Sequence, residues 1–268
     1  MTSPMVKMQS TINMRWVVYF IASLILFSCK EPRKELTIVK EEITAYPDWI
    51  TTDYVMGKFD PTSDESFEVI SEDLADRKGL YLRSDVYEAY KKMKRQADED
   101  GIRLVIRSAT RNFDYQKGIW ERKWTGETKL SDRSRASDIT DEKERALKIL
   151  RYSSMPGSSR HHWGTDIDLN SFDNSYFEYG EGLKVYDWLK QHASSFGFCQ
   201  PYTSKSDGRS GYEEEKWHWT YTPISSELTR FSKKYLSNTL ISGFQGSQAA
   251  VDIDIVGKYV LGISKDCL

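Results

Sequence analysis

The chain has 268 residues, of which 39% are hydrophobic and 29% are charged, and its formal net charge is −2. This composition suits a folded protein with a sizeable core and excludes a chain that is disordered throughout. The near-neutral charge provides no basic footprint for nucleic acid, so no nucleic-acid partner is expected.

The N-terminal segment, residues 1–29, has the features of a bacterial lipoprotein signal peptide. A positively charged start precedes an apolar run over residues 16–27, which is too short to cross a membrane and has the length typical of an export signal. The run ends in Leu26-Phe27-Ser28-Cys29, and we expect Cys29 to be lipidated; an ordinary signal peptide or an anchor helix is the alternative. Residues 30–50 are charged and contain two prolines, which predicts a tether to the membrane.

Helical and strand patterns are interspersed along the remainder, which predicts the α+β class. A helix is predicted over residues 83–100, with Ser84 as its N-cap, and a buried strand over residues 102–106. Further helices are predicted over residues 114–124, 141–152, 182–195 and 223–235, with a short one within 249–260. Further strands are predicted over residues 166–169, 196–199 and 216–221.

Two cysteines, Cys199 and Cys267, follow the predicted signal peptide. If the protein is exported, the oxidising compartment allows them to pair, and we expect a disulfide. Two unrelated buried thiols are the alternative, since the sequence gives no distance between them.

Two clusters of histidines and carboxylates carry the strongest chemical signal. Residues 159–169 hold two of the chain's four histidines and two aspartates, and residues 213–219 hold three glutamates and one histidine. A catalytic zinc site needs three protein ligands, an open position for water and a carboxylate base that does not bind the metal. The two clusters together supply this set of side chains.

The spacing resembles that of the LAS group of zinc peptidases (lysostaphin, D-Ala-D-Ala peptidases, sonic hedgehog), and within it the VanY-like D,D-carboxypeptidases. The family pattern S-x-H-x-x-G-x-A-x-D is matched by Ser159, His161, Gly164 and Asp168. Its second pattern, E-x-W-H, is matched by Glu215, Trp217 and His218. An earlier element, S-G-Y-R-S and then glutamine, corresponds to residues 108–112 and Gln116. Three elements in the right order are far more specific than any one of them.

The resemblance implies a small antiparallel sheet that carries the zinc ligands and is flanked by helices. It assigns seven residues: His161, Asp168 and His218 to zinc, Glu215 to the general base, and Arg111, Gln116 and Ser159 to the terminal carboxylate of a peptide substrate. For Arg111, a surface ion pair is the alternative to this bidentate contact. The zinc peptidase domain would span residues 51–223 with its N-terminal segment, followed by a C-terminal helix and tail over residues 224–268.

Several neighbours of these residues have more than one interpretation. His162 is a possible ligand beside His161, but the spacing to the rest of the motif favours His161. Asp166 stands where the family usually has alanine, and it either faces the substrate or orients an imidazole. The run of three glutamates is typical of a solvated loop, and only Glu215 has the required offset to His218.

We therefore expect an exported, lipid-anchored enzyme of the bacterial cell envelope that removes terminal D-Ala from peptidoglycan stem peptides with the help of Zn²⁺. The expected partners are the stem peptide and the membrane, and the sequence specifies no oligomeric state. Four alternatives remain open: an L,D-carboxypeptidase, a cell-wall endopeptidase with the same zinc site, a non-catalytic peptidoglycan-binding lipoprotein, and a zinc protein with a signalling or adhesive role.

Overall fold

The computed structural model describes residues 46–268. The predicted signal peptide, Cys29 and almost all of the predicted tether lie outside the described residues. The helices are α1 (Thr52–Val55), α2 (Ser84–Glu99), α3 (Phe113–Trp124), α4 (Glu142–Ile149), α5 (Gly180–His192), α6 (Thr222–Tyr235) and α7 (Ala249–Ile253). The strands are β1 (Phe67–Val69), β2 (Tyr81–Arg83), β3 (Ile106–Ser108), β4 (Asp166–Leu169), β5 (Phe198–Cys199) and β6 (His218–Tyr221).

The strands form two antiparallel sheets. Strands β1 and β2 pair with each other, and the other four form a sheet with the order β3-β4-β6-β5. Strand β4 is central, buried along its whole length, and pairs with β6 so that Asp168 lies opposite His218. Mixed helices and small antiparallel sheets confirm the predicted α+β class.

Two hydrophobic clusters enclose the four-stranded sheet. Ile167 and Leu169 of β4 belong to a cluster with buried residues of α2 and α5. Buried residues of α3, α4, α6 and α7 form the second cluster. Because side chains alternate along a strand, Asp166 and Asp168 point away from the face on which Ile167 packs. Strand β4 therefore directs the carboxylates of Asp166 and Asp168 to its other face, on the side of the second cluster.

The predicted strand over residues 102–106 is wrong in its position. Strand β3 covers only Ile106–Ser108, with an irregular register against β4. Residues 103 and 105 bond instead to Asn170, whose side chain accepts from Val105 N at 3.2 Å and donates to Arg103 O at 2.7 Å. An asparagine side chain thus replaces the strand ladder at this edge.

The C-terminal segment packs onto the second cluster through buried residues such as Ile253, Tyr259 and Val260. The expected disulfide joins Cys199 of β5 to Cys267, with 5.6 Å between the Cα atoms. The backbone amide of Ser264 donates to Pro201 O at 2.8 Å, so the chain end is fixed next to the loop that follows β5. Among the helices of residues 46–268, none is both long enough and apolar enough to cross a membrane.

Candidate active site

Three predicted metal ligands meet where β4, β6 and a short turn converge. Asp168 lies directly across the ladder from His218, and its Oδ1 is 3.1 Å from Nδ1 of His218. The other oxygen, Oδ2, is 3.2 Å from Nε2 of His161. All three side chains are buried, and one donor atom of each lies within 4.8 Å of the others.

A turn of 3₁₀ helix over Arg160–Trp163 sends the two adjacent histidines to different places. His161 points towards Asp168, whereas Nδ1 of His162 bonds to Arg111 O at 2.5 Å and its Nε2 accepts from Gly157 N at 3.0 Å. The turn ends at Gly164, with φ of 72°, and a Cβ at this position would collide with Phe67. The structure thus brings His161, and not His162, to the metal ligands.

One ring nitrogen of each histidine in this cluster, His161 and His218, contacts a hydrogen-bond acceptor outside the cluster. Nδ1 of His161 bonds to Ala109 O at 2.8 Å, and Nε2 of His218 bonds to Oδ2 of Asp166 at 2.8 Å. Such contacts fix the orientation and tautomer of metal-binding imidazoles. Of the two interpretations of Asp166, the structure shows the one in which it orients an imidazole.

Arg160 is a buried cation beneath this contact. Its Nε lies 3.2 Å from Oδ2 of Asp166, and its other nitrogens donate to hydroxyl groups of Thr220 and Thr229. Burial raises the pKa of Asp166, but the charge of Arg160 and the bond to His218 outweigh it and lower that pKa below its usual range. Asp166 is therefore ionised at neutral pH.

Negatively charged carboxylates surround His218 and favour a positive charge at this place. Burial raises the pKa of Asp168, yet the adjacent imidazoles hold that pKa far below its usual range. Burial lowers the pKa of His218, but the hydrogen bond to Asp166 and the nearby carboxylates of Asp168 and Glu215 raise it well above its usual value. Three carboxylates around one imidazole thus produce a negative potential that stabilises a bound cation.

The donor set fits a divalent metal such as zinc. Burial and the charge of Arg111 lower the pKa of His161, so its imidazole is neutral, which is the form that binds metal. Nε2 of His161 and Oδ1 of Asp168 are buried, and neither makes a hydrogen bond within the part of the chain that the structure describes. Two imidazoles and one carboxylate are a ligand set of catalytic zinc sites.

Glu215 lies beside these ligands because the chain turns just before β6. The prediction that residues 216 and 217 extend the strand is wrong, since His218 N bonds to Glu215 O at 3.3 Å in a turn. This turn brings Oε2 of Glu215 to 3.3 Å from Nδ1 of His218. Burial raises the pKa of Glu215, and the bond to His218 partly offsets this effect. A raised pKa moves the carboxylate towards the range that suits a general base.

The predicted carboxylate-binding residues line the same cavity, which has a volume of about 610 Å³. Arg111 Nε, Gln116 Oε1 and Ser159 Oγ are buried and lack hydrogen-bond partners among residues 46–268. The amide of Gln116 is fixed by a bond from Nε2 to Ser154 O at 2.8 Å. The structure therefore brings all three together with the metal ligands, each with an unused polar atom.

Sequence reasoning missed two charged residues of this region. Arg160 lies inside the first motif, six residues before Asp166. An arginine and an aspartate this close within one motif could have indicated the buried ion pair that they form. Lys123 lines the cavity and lies seven residues after Gln116, which is two turns along the same helix face. Tyr202 also lines the cavity, and the centroid of its ring is 4.7 Å from that of His218.

The region that contains the predicted site residues is similar to one family of known proteins. The family model for VanY, D-alanyl-D-alanine carboxypeptidase, matches residues 79–224, more than half of the chain. The chain is 28% identical to "Putative carboxypeptidase YodJ" of Bacillus subtilis (strain 168) over 144 residues, which are 53% of this chain and 46% of that protein. An uncharacterized protein of Haemophilus influenzae is 26% identical over 85 residues, 26% of this chain and 63% of that protein. The chain spans less than two thirds of the length of either relative.

Solved structures with a similar fold include "VanYB in complex with D-Alanine-D-Alanine", at 20% identity and a TM-score of 0.46, covering 64% of this chain and 84% of that one. The LdcB LD-carboxypeptidase is similar at 17% identity and a TM-score of 0.47, covering 76% of this chain and 81% of that one.

Proposed function

The chain belongs to the VanY family of D-alanyl-D-alanine carboxypeptidases, as its motifs predicted, and we propose that it is a zinc-dependent D,D-carboxypeptidase. Its substrate is a peptidoglycan stem peptide, from which it removes the terminal D-Ala. One observation carries the proposal: the proposed metal ligands, a buried carboxylate and Arg111 line a single cavity. Nε of Arg111 has no hydrogen-bond partner among residues 46–268.

The roles of the side chains follow from their places in this cavity. His161, Asp168 and His218 would hold zinc, which supplies Lewis-acid chemistry to the scissile amide when bound. Glu215 takes a proton from the attacking water and returns it to the leaving amine.

Arg111, with Gln116 and Ser159, orients the terminal carboxylate so that the last peptide bond lies next to the catalytic carboxylate. A planar guanidinium pairs with both oxygens of a carboxylate, which a single ammonium group does not do. This contact favours an exopeptidase over a cell-wall endopeptidase, whose substrates present no free carboxylate beside the scissile bond. The description of the matching family favours D,D over L,D cleavage.

The test is digestion of purified stem pentapeptide and of the corresponding tetrapeptide by the zinc-loaded full chain, followed by mass spectrometry. We expect the pentapeptide to lose one D-Ala and the tetrapeptide to persist. Cleavage of the tetrapeptide would instead support the L,D-carboxypeptidase, and release of cross-linked peptides the endopeptidase. No cleavage of any substrate would support a non-catalytic wall-binding or signalling role.

The same proposal includes export and attachment to the membrane through lipidated Cys29. The features of residues 1–29 support it, and so does the disulfide between Cys199 and Cys267, since disulfides are typical of oxidising compartments. Labelling with a fatty-acid analogue should mark the wild-type protein and not Cys29→Ala. Equal labelling of both would contradict the anchor.

A further inference from the structure

Lys123 brings a second cation into the cavity that contains Arg111. It shares one face of α3 with Gln116, and all three residues line the cavity. Its side chain is partly buried, and its ammonium group contacts Oγ of Ser153, the neighbour of the serine whose carbonyl binds Gln116. The family pattern that the sequence matches does not include this lysine.

The other charges of the cavity leave Lys123 without a counter-ion among residues 46–268. Asp132 forms an ion pair with Lys148 at 2.5 Å. Glu215 contacts His218 and acts on Lys123 only by a longer-range electrostatic interaction. The cavity is also lined by Asp168, which belongs to the metal ligands, and by Asp173 and Arg151. Neither Lys123 nor Arg111 forms an ion pair within this part of the chain.

Two neighbouring cations without a carboxylate partner are unfavourable when they are withdrawn from water. Burial, and after it the charge of Arg111, lowers the pKa of Lys123 to about 8, with a partial offset from Glu215. An anion bound between the two groups would remove the repulsion and restore the ordinary ammonium form. The free carboxylate at the end of a peptide is the anion that such a cavity, next to a metal centre, suits best.

We propose that Lys123 is a substrate-binding residue, which together with Arg111 binds the terminal carboxylate of the peptide. This inference rests on the proposed function and adds a second cation to the group of residues that recognises the free C-terminal carboxylate. Arg111 supplies the planar bidentate contact, and Lys123 contacts the same group as a point charge. Lys123 therefore strengthens the preference for free over blocked ends that Arg111 provides.

The test measures binding, so that it does not depend on turnover. Calorimetry is carried out on the zinc-loaded full chain carrying Glu215→Gln, with a peptide ending in free D-Ala-D-Ala and with its C-terminal amide. Adding Lys123→Met should weaken binding of the free acid roughly tenfold and leave binding of the amide nearly unchanged, while Lys123→Arg should restore most of the loss. Arg122→Met, which removes an exposed charge next to Lys123 on the same helix, is the matched control and should change neither affinity.

The number of protons taken up when the peptide binds is a second measurement, and a purely structural lysine would not change it. At about pH 8.5 a substantial fraction of Lys123 is neutral in the free protein, so binding of the free acid should take up protons from the buffer. Calorimetry in buffers of different ionisation enthalpy measures this uptake. It should disappear in the Lys123→Arg variant, because guanidinium stays protonated at this pH.

Equal losses for the acid and the amide would overturn the inference, whatever the proton uptake. The proposed function fails in a different way, through absence of D-Ala release by the protein with Glu215 intact. A protein that binds free acids through Lys123 but releases no D-Ala would retain the inference and refute the carboxypeptidase.

Discussion

Oδ2 of Asp166 accepts a hydrogen bond from Nε2 of His218 at a distance of 2.8 Å. The other oxygen of this carboxylate accepts from the hydroxyl groups of Thr165 and Thr220, at 2.7 and 2.6 Å. Arg160 completes the set, so the carboxylate is buried with every oxygen satisfied. At the position where the family pattern usually has alanine, this chain thus holds a charged group that orients a proposed metal ligand.

Restoring the family's usual residue with Asp166→Ala should therefore weaken the site and not improve it. Zinc affinity, measured by competition with a chelator, should fall about 10- to 100-fold, as for other losses of an imidazole's outer partner. The free energy of unfolding should fall by about 3–5 kcal/mol, because Arg160 remains buried without its counter-ion. Asp166→Asn retains an acceptor for His218 and should lose less zinc affinity. Wild-type zinc affinity in Asp166→Ala would refute this role.

The two adjacent histidines should respond in opposite ways to replacement by alanine. His161→Ala removes one of three ligands, so most bound zinc should be lost. His162→Ala should retain zinc but lose about 1–3 kcal/mol of stability, since the buried Gly157 amide and Arg111 carbonyl lose their partner. Metal analysis and urea unfolding of both variants measure the two effects. Zinc lost from His162→Ala and retained by His161→Ala would shift the ligand assignment by one residue.

Glu215→Gln should keep zinc and the fold while abolishing most turnover. The amide has the same size but no basic oxygen, and general acid–base catalysis contributes about 10²- to 10⁴-fold. Glu214→Gln is the matched control, because Glu214 is only partly buried and is one residue from the turn that carries Glu215 to the cavity. Its kcat should stay within about twofold of the wild type. A damaging Glu214→Gln beside a silent Glu215→Gln would reverse the assignment of the base.

The clustering of His161, Asp168 and His218 was predictable because the two motifs that contain them resemble those of a known family. Asp168 lies on a strand, Gly164 permits the preceding turn, and the E-x-W-H pattern fixes His218 relative to Glu215. The α+β class was predictable for a similar reason, since it depends on local periodicity. Even the disulfide followed from the number of cysteines and the expected compartment.

Contacts between distant segments were not predictable in the same way. The outer partner of His161 is a backbone carbonyl, at Ala109, and any residue type could supply it. The turn at residues 215–218 replaces a strand that the aromatic pattern favoured, because Trp217 packs in the cluster with α2 and α5 while Glu215 turns back to the ligands. Lys123 had no motif, and only the path of α3 places it in the cavity.

The disulfide should stabilise the protein by closing a long loop of chain. Cys199 and Cys267 are 68 residues apart, and removal of such a bond typically costs about 2–5 kcal/mol. Cys267→Ala should lower the free energy of urea unfolding by about this amount. A reducing agent should destabilise the wild type similarly and leave the variant unchanged. If the reductant destabilised both proteins equally, the disulfide would not be the source of the lost stability.

The backbone around Arg111 fixes the place of its guanidinium group. Arg111 N donates to His161 O at 3.1 Å, and its carbonyl accepts from His162, so the residue is tied on both sides to the turn that carries the first metal ligand. Its buried Nε has no hydrogen-bond partner within residues 46–268, as expected for a group that binds a substrate. These backbone bonds hold Arg111 at the wall of the cavity that the predicted metal ligands also line.

Arg111→Lys keeps the charge but removes the planar bidentate contact. Charge-assisted hydrogen bonds contribute about 1.5–3 kcal/mol, so kcat/KM on a peptide ending in free D-Ala should fall about 10- to 100-fold. On the amidated peptide the wild type should already be slow, and the substitution should add little further loss. The four rate constants form a cycle between enzyme and substrate, in which a large coupling energy identifies Arg111 as the contact to the carboxylate. Equal losses on both peptides would make Arg111 a structural residue, and the endopeptidase would then account better for the same metal centre.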